Sequence, residues 1–213
     1  MKPHFKSSTF LLHKIKCGPF DNNAYVLVCR KTNQSILIDT PADPNVFIAI
    51  AESTKVNRIL ITHNHSDHIA GFDDVINAFN VPVSMSNYDS GVLDYDLLDD
   101  LQDDSIISFG NLNLQVLFTP GHTPGSTCFY LEGHLFSGDT LFPGGPGKTQ
   151  SAEKLEQIID SITKKLFILP PSTIFYPGHG DDGELFVSIS EYEMYKSKNV
   201  HSQTFGDIDW LKS

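Results

Sequence analysis

The chain has 213 residues, with 15 Lys and Arg against 26 Asp and Glu, and a formal net charge of −11. That length suits one large domain, read as spanning residues 1–213, and 40% hydrophobic residues are enough for a core. So acidic a chain disfavours general nucleic-acid binding, and the short apolar runs point away from a membrane span or a signal peptide. Cys17, Cys29 and Cys128 are odd in number and lack CxxC spacing, which suggests reduced thiols in the cytoplasm.

In chain order, residues 9–17 and 24–29 predict strands, separated by the turn formers Gly18-Pro19-Phe20-Asp21-Asn22-Asn23. Ser35 to Asp39 predicts a third strand, closed by Thr40-Pro41. A helix is expected over 46–53, a strand over 56–61 and a helix from His68, on the spacing of Ile69, Phe72, Val75, Ile76 and Phe79. Val81 to Met85 predicts a short strand, its Pro82 marking an edge or a first position. The acidic block over 94–104 has no EF-hand spacing and no loop glycine. It is expected to be a solvated helical or loop face with Leu97, Leu98 and Leu101 turned inward. Two hairpins follow, 106–109 with 112–118 and 126–131 with 134–137. A helix over 151–169 with Ser151 as its cap, a strand over 173–176 and a helix over 184–198 complete the order. Two runs of strands with helices near their ends predict two mixed sheets packed face to face with helices outside; an α/β layer is the alternative.

Thr62-His63-Asn64-His65-Ser66-Asp67-His68 sits on the strand-to-helix turn after Ile59-Leu60-Ile61. Extended backbone points His63 and His65 the same way, and Asp67 and His68 enter a helix amino terminus. Imidazole and carboxylate are ligands for zinc, iron and manganese. Three more candidates stand where predicted strands end in Gly- or Pro-rich loops: His122 in Thr119-Pro120-Gly121-His122-Thr123-Pro124-Gly125-Ser126, Asp139 in Ser137-Gly138-Asp139-Thr140, and His179 in Pro177-Gly178-His179-Gly180. A metal site needs such partners, and a glycine beside each lets the backbone approach a shared centre.

This ordered set resembles the metallo-β-lactamase superfamily from about residue 10 to 180. The segments around His122 and Asp139 resemble its glyoxalase II (hydroxyacylglutathione hydrolase) branch. The resemblance implies an α+β fold, an αββα sandwich of two mixed β-sheets with helices on both outer faces. It implies two divalent metal ions, zinc before iron or manganese: His63, His65 and His122 on one, Asp67, His68 and His179 on the other, Asp139 bridging them. A hydroxide shared by the metals would attack a thioester, small carboxylic ester or lactone, with Asp67 also accepting a proton. No serine or cysteine nucleophile is needed. The expected partner is a small-molecule substrate, with no nucleic acid and no membrane.

The chain departs from several branches. True β-lactamases imply secretion and often a cysteine at Asp139. RNA-processing members carry a tRNA-binding arm, for which no basic segment stands here. Lys148 matches a glutathione-contacting lysine of the glyoxalase II branch, but Gln150 and Asp181 replace its tyrosines. Only 34 residues follow His179, against a helical domain in that branch. A P-loop at Gly147-Lys148-Thr149 fails because Phe142 occupies the first glycine position. The rival class resembles persulfide dioxygenases, with one iron on His63, His122 and Asp139. A non-catalytic metal-dependent binding domain is a third class. His4, His13, His134 and His201 match no motif position and are expected to be surface or structural residues.

Overall fold

The computed structural model describes residues 2–198 and 204–212, so His201 lies outside the described residues. The first sheet places its strands in sequence order: β1 (Phe5–Lys6), β2 (Phe10–Cys17), β3 (Asn22–Cys29), β4 (Gln34–Ile38), β5 (Lys55–Leu60), β6 (Val83–Met85) and β7 (Leu98–Asp100). Pairing is antiparallel from β1 to β4 and parallel from β4 to β7. The parallel pairs need crossovers, supplied by α1 (Asn45–Ala51) and, after the short α2 (Ser66–Ile69), by α3 (Phe72–Phe79). The second sheet contains β8 (Ile106–Phe109), β9 (Leu112–Phe118), β10 (Thr127–Leu131) and β11 (His134–Gly138) as a meander. The small ribbon β12 (Leu141–Phe142) with β13 (Gly145–Pro146) leads to α4 (Ala152–Ser161), and this crossover brings β14 (Ile174–Pro177) parallel to β11. Finally β15 (Gly183–Glu184) edges the sheet and α5 (Leu185–Lys196) packs outside it.

Strand periodicity explains the layers. Tyr25 and Leu27 of β3, and Ile36 and Ile38 of β4, face the second sheet and meet Leu114, Val116, Phe129 and Phe136 there. The alternate residues Ala24, Val26, Val28 and Leu37 face outward against Phe47 and Ala51 of α1 and Phe72 and Val75 of α3. On the other outer face, Cys128, Leu135 and Phe175 meet Leu155 and Ile158 of α4, Leu185 of α5 and Trp210. The order is therefore helix, sheet, sheet, helix, and both sheets are mixed, as expected. Ser151 caps α4 by accepting from the Lys154 N–H at 3.3 Å. Among the described residues no helix is long and apolar enough to cross a membrane.

Three local expectations change. The helix expected from His68 is two helices, because the Gly71 N–H leaves the helical ladder and donates to Thr40 O at 2.8 Å. Within the acidic block, Leu98–Asp100 is an edge strand rather than a helical face. Leu101 is buried, but Leu97 is 44% exposed. Its carboxylates serve neighbours: Asp99 takes Arg58 at 2.6 Å and Asp103 takes the Phe118 N–H at 2.8 Å. The helix expected to reach residue 169 runs regularly only to Ser161, continues as one π turn over Ile162–Leu166, and leaves Ile168 exposed.

Candidate metal centre

Each motif residue follows the carboxyl end of a strand. The His63–His68 turn follows β5, His122 follows β9, Asp139 follows β11 and His179 follows β14. β4 to β6 run parallel, as do β11 and β14, so these ends lie on one edge of the sandwich, and all seven side chains meet there. His65 Nδ1 lies 3.1 Å from His63 Nε2 and 2.9 Å from His122 Nε2. On the other side His179 Nε2 lies 3.3 Å from His68 Nε2 and 3.1 Å from Asp67 Oδ2. Asp139 faces both groups, with Oδ1 3.4 Å from His68 Nε2 and Oδ2 3.6 Å from both His122 Nε2 and His179 Nε2.

The outer hydrogen bonds decide which nitrogen each ring offers. A carbonyl only accepts, so His122 Nδ1 donates to Lys148 O and His179 Nδ1 donates to Phe20 O, both at 2.8 Å. Asp39 does the same for His68 Nδ1 at 2.8 Å. The Thr62 hydroxyl donates to Asp39 Oδ2 at 2.9 Å, which leaves its oxygen to accept from His63 Nδ1 at 3.0 Å. Four imidazoles thus turn an Nε2 lone pair into the centre, the arrangement that orients metal-binding histidines. Asn22 Nδ2 donates to Asp67 Oδ2 at 2.8 Å and holds that carboxylate in place.

The electrostatics divide the histidines. Burial, then the neighbouring imidazoles, pushes His63 well below the ordinary histidine value, so it is the neutral ring that can ligate. Burial opposes charge on His68 too, but Asp39 and Asp139 outweigh it and, without a metal, raise that ring well above the ordinary histidine value. The His179 ring 3.1 Å away, then the hydrogen bond from Asn22, keeps Asp67 below the usual carboxylate range.

The donor set fits divalent cations. Converging lone pairs repel unless positive charge lies between them. Asp139 Oδ1 is buried and meets no hydrogen-bond partner among the described residues, a costly state for a carboxylate oxygen. A side chain at Gly178 would place its Cβ 2.3 Å from that oxygen and 2.5 Å from His68 Cε1, so the position excludes any larger residue. Three overlapping groups offer ligand atoms within 4.8 Å of one another: His63, His65 and His122; Asp67, His68 and His179; and His63, His68 and Asp139.

Lys148 enters differently from its sequence reading. Its backbone carbonyl orients His122, while its exposed ammonium lies 3.9 Å from Asp207 Oδ2, beside a pocket of about 250 Å³ between residues 142–148 and 207–209. The tail forming that pocket is tied down at Trp210, whose backbone N–H donates to Gly144 O at 2.8 Å. Sequence reasoning missed Asn22, Asp39 and Thr62. Asp39 ends an apolar strand just as Asp139 does, and that was the available signal. Of the remaining histidines, His134 is buried and its Nδ1 lies 2.8 Å from Tyr176 OH, while His4 pairs with Asp182 at 2.6 Å.

Comparisons agree with this geometry. The family model described as the metallo-β-lactamase superfamily matches residues 17–179. A probable hydroxyacylglutathione hydrolase of Schizosaccharomyces pombe is 35% identical over an alignment of 173 residues that covers 76% of this chain and 65% of that protein. The chain therefore spans about two thirds of that relative's length. A probable metallo-hydrolase of Bacillus subtilis is 30% identical over 195 residues, covering 81% of this chain and 91% of that one. The solved metallo-β-lactamase of Staphylococcus aureus superposes with a TM-score of 0.77 at 26% identity, over 92% of this chain and 65% of that one. With the αββα sandwich, the ordered His and Asp positions at one sheet edge and a family match across most of its length, the chain belongs to the metallo-β-lactamase superfamily.

Proposed function

We propose that the chain is a dinuclear metallohydrolase of glyoxalase II type, cleaving a thioester or another small carboxylic ester, lactones included. The observation that carries this reading is the buried Asp139 carboxylate, whose Oδ1 meets no hydrogen-bond partner among the described residues, standing between two three-residue groups. His63, His65 and His122 would hold one ion, Asp67, His68 and His179 the second, and Asp139 would bridge them. Imidazole and carboxylate donors suit zinc, with iron or manganese as alternatives. Such ions lower the pKa of bound water to about 7 and polarise a substrate carbonyl.

The protein's own groups do the rest. Asp67 enters the reaction ionised and accepts a proton from the attacking water on its carboxylate, which Asn22 keeps oriented. The outer carbonyls of Phe20 and Lys148 hold two rings against rotation while charge develops. The exposed Lys148 ammonium, on the residue whose carbonyl orients His122, would meet a polar arm of the substrate. Residues 1–213 act as one domain in this reading, since Trp210 is buried in the outer core of the second sheet. Free, buried Cys17, Cys29 and Cys128 support a cytoplasmic protein.

A single iron on His63, His122 and Asp139 would leave Asp67, His68 and His179 converging to no purpose, which favours the two-metal reading over the persulfide dioxygenase one. Metal analysis with two assays tests it. About two zinc ions per chain and hydrolysis of a hydroxyacylglutathione thioester or a simple lactone are expected. One iron with oxygen uptake on glutathione persulfide, or turnover of a β-lactam alone, would overturn it.

A further inference from the structure

His63, His68, His122 and His179 each have the far ring nitrogen fixed by an outer hydrogen bond. His65 differs. Its Nδ1 faces the centre, and its Nε2 meets no hydrogen-bond partner among the described residues. Its ring packs edge-on against His63 and His122, and the backbone beside it is fastened to a side chain from outside the turn. Asp89, on the turn after β6, is 2% exposed. Its Oδ2 accepts the Asn64 N–H at 3.2 Å, from the residue between His63 and His65. The same oxygen accepts the Thr123 hydroxyl at 2.6 Å, from the residue after His122, and its Oδ1 accepts the Gly125 N–H at 2.9 Å.

One carboxylate therefore ties the loop of His63 and His65 to the loop of His122. These segments lie almost 60 positions apart in sequence, and their rings form one of the three donor groups. The fit is close: a Cβ at Gly125 would stand 2.6 Å from Asp89 Cγ, so residue 125 is small because Asp89 is there. Ser126 completes the brace, its hydroxyl accepting the Thr123 N–H at 2.9 Å. Nothing comparable reaches Asp67, His68 or His179 from Asp89.

We propose that Asp89 is a positioning residue that sets the spacing of His63, His65 and His122, supplying through the backbone what His65 lacks at its ring. This rests on the two-metal reading above. The test is zinc and cobalt(II) titration of metal-free wild-type, Asp89→Ala and Thr123→Val proteins, followed by calorimetry and by cobalt absorption. In Asp89→Ala one of the two metal equivalents should weaken about 10- to 100-fold, as when an outer partner is removed, with its cobalt bands shifted. The other equivalent should change less than about threefold. Thr123→Val removes one donor and leaves the carboxylate. It covers the case in which Asp89→Ala does not fold, and should weaken the same equivalent about three- to tenfold. Thr123→Ser, which keeps the hydroxyl, should restore it. Equal weakening of both equivalents, or of neither, overturns the inference while leaving the two-metal reading intact. Wild-type protein that binds fewer than two equivalents overturns the two-metal reading itself.

Discussion

Four of the seven candidate donors lie within six residues on the turn after β5, whereas His122, Asp139 and His179 arrive singly from the ends of β9, β11 and β14. The turn sets angles among its own donors through local backbone, with His65 extended and Asp67 and His68 in the first turn of α2. The scattered three set distances, because each depends on sheet register established far away in the chain. A dense turn supplies donor chemistry, then, and the second sheet makes it a centre. The outer bonds follow the same division. The turn is braced by side chains, Asp39 and Thr62, while His122 and His179 are braced by backbone carbonyls.

The sharpest way to break this arrangement is at the residue that faces both sides. Asp139→Ala should remove at least one metal ion and lower thioester turnover about a thousandfold or more, since metal-based charge stabilisation amounts to several kcal/mol. Elemental analysis showing unchanged metal content would remove the bridging role.

The scattered side depends on packing, which Trp210→Ala would expose. This side chain is fully buried against Phe167 and Tyr192, and it anchors the tail whose backbone N–H at residue 210 donates to Gly144 O in the loop that carries the Lys148 carbonyl. Denaturant unfolding should show a loss of about 3–5 kcal/mol. A loss under about 1 kcal/mol would mean that the tail is not part of the core.

On the turn side, Asp39→Asn should weaken metal binding about 10- to 100-fold, because Asp39 orients His68 directly and His63 through Thr62. Competition with a chelator measures this, and wild-type affinity in the variant would show that the turn holds its own angles.

A smaller effect separates the metal-free from the metal-loaded protein. His68 has its value raised above the ordinary 6.5 once Asp39 and Asp139 outweigh burial. A raised value contributes stability that is complete below 6.5 and is lost as pH rises through the folded-state value. Metal binding needs the deprotonated ring, so metal affinity should rise over the same range. Melting temperatures should therefore fall as pH rises from 6.5 for metal-free protein and not for loaded protein. Parallel curves would rule out a protonated His68.

The same division governs what could be read from the residues alone. The turn was legible because its chemistry is contiguous. His122, Asp139 and His179 were legible because each repeats one pattern, an apolar strand followed by a small residue and a donor. Asn22, Asp39, Thr62 and Asp89 were not singled out. Each is a common polar residue whose role depends on contacts 23 to 45 positions away, to which Thr62 adds one with the adjacent His63. The acidic block misled because Leu97, Leu98 and Leu101 also fit a helical face. Parallel pairing with β6 decided for a strand, and its aspartates suit a sheet edge that must not pair further. In Lys148 the sequence shows only an ammonium, and the carbonyl that orients His122 from outside the centre becomes visible only in the fold.

The strand order of the first sheet bears on how the protein comes into being. From β1 to β7 every strand pairs with the one made just before it, so this half can accumulate as the chain leaves the ribosome. The second half meanders likewise until β14, which must cross over through α4 to lie beside β11. Only then does His179 reach the others. Capture of metal would mark the end of folding rather than seed it, and pulse-labelled hydrogen exchange during refolding should find the amides of β3 and β4 protected before those of β14.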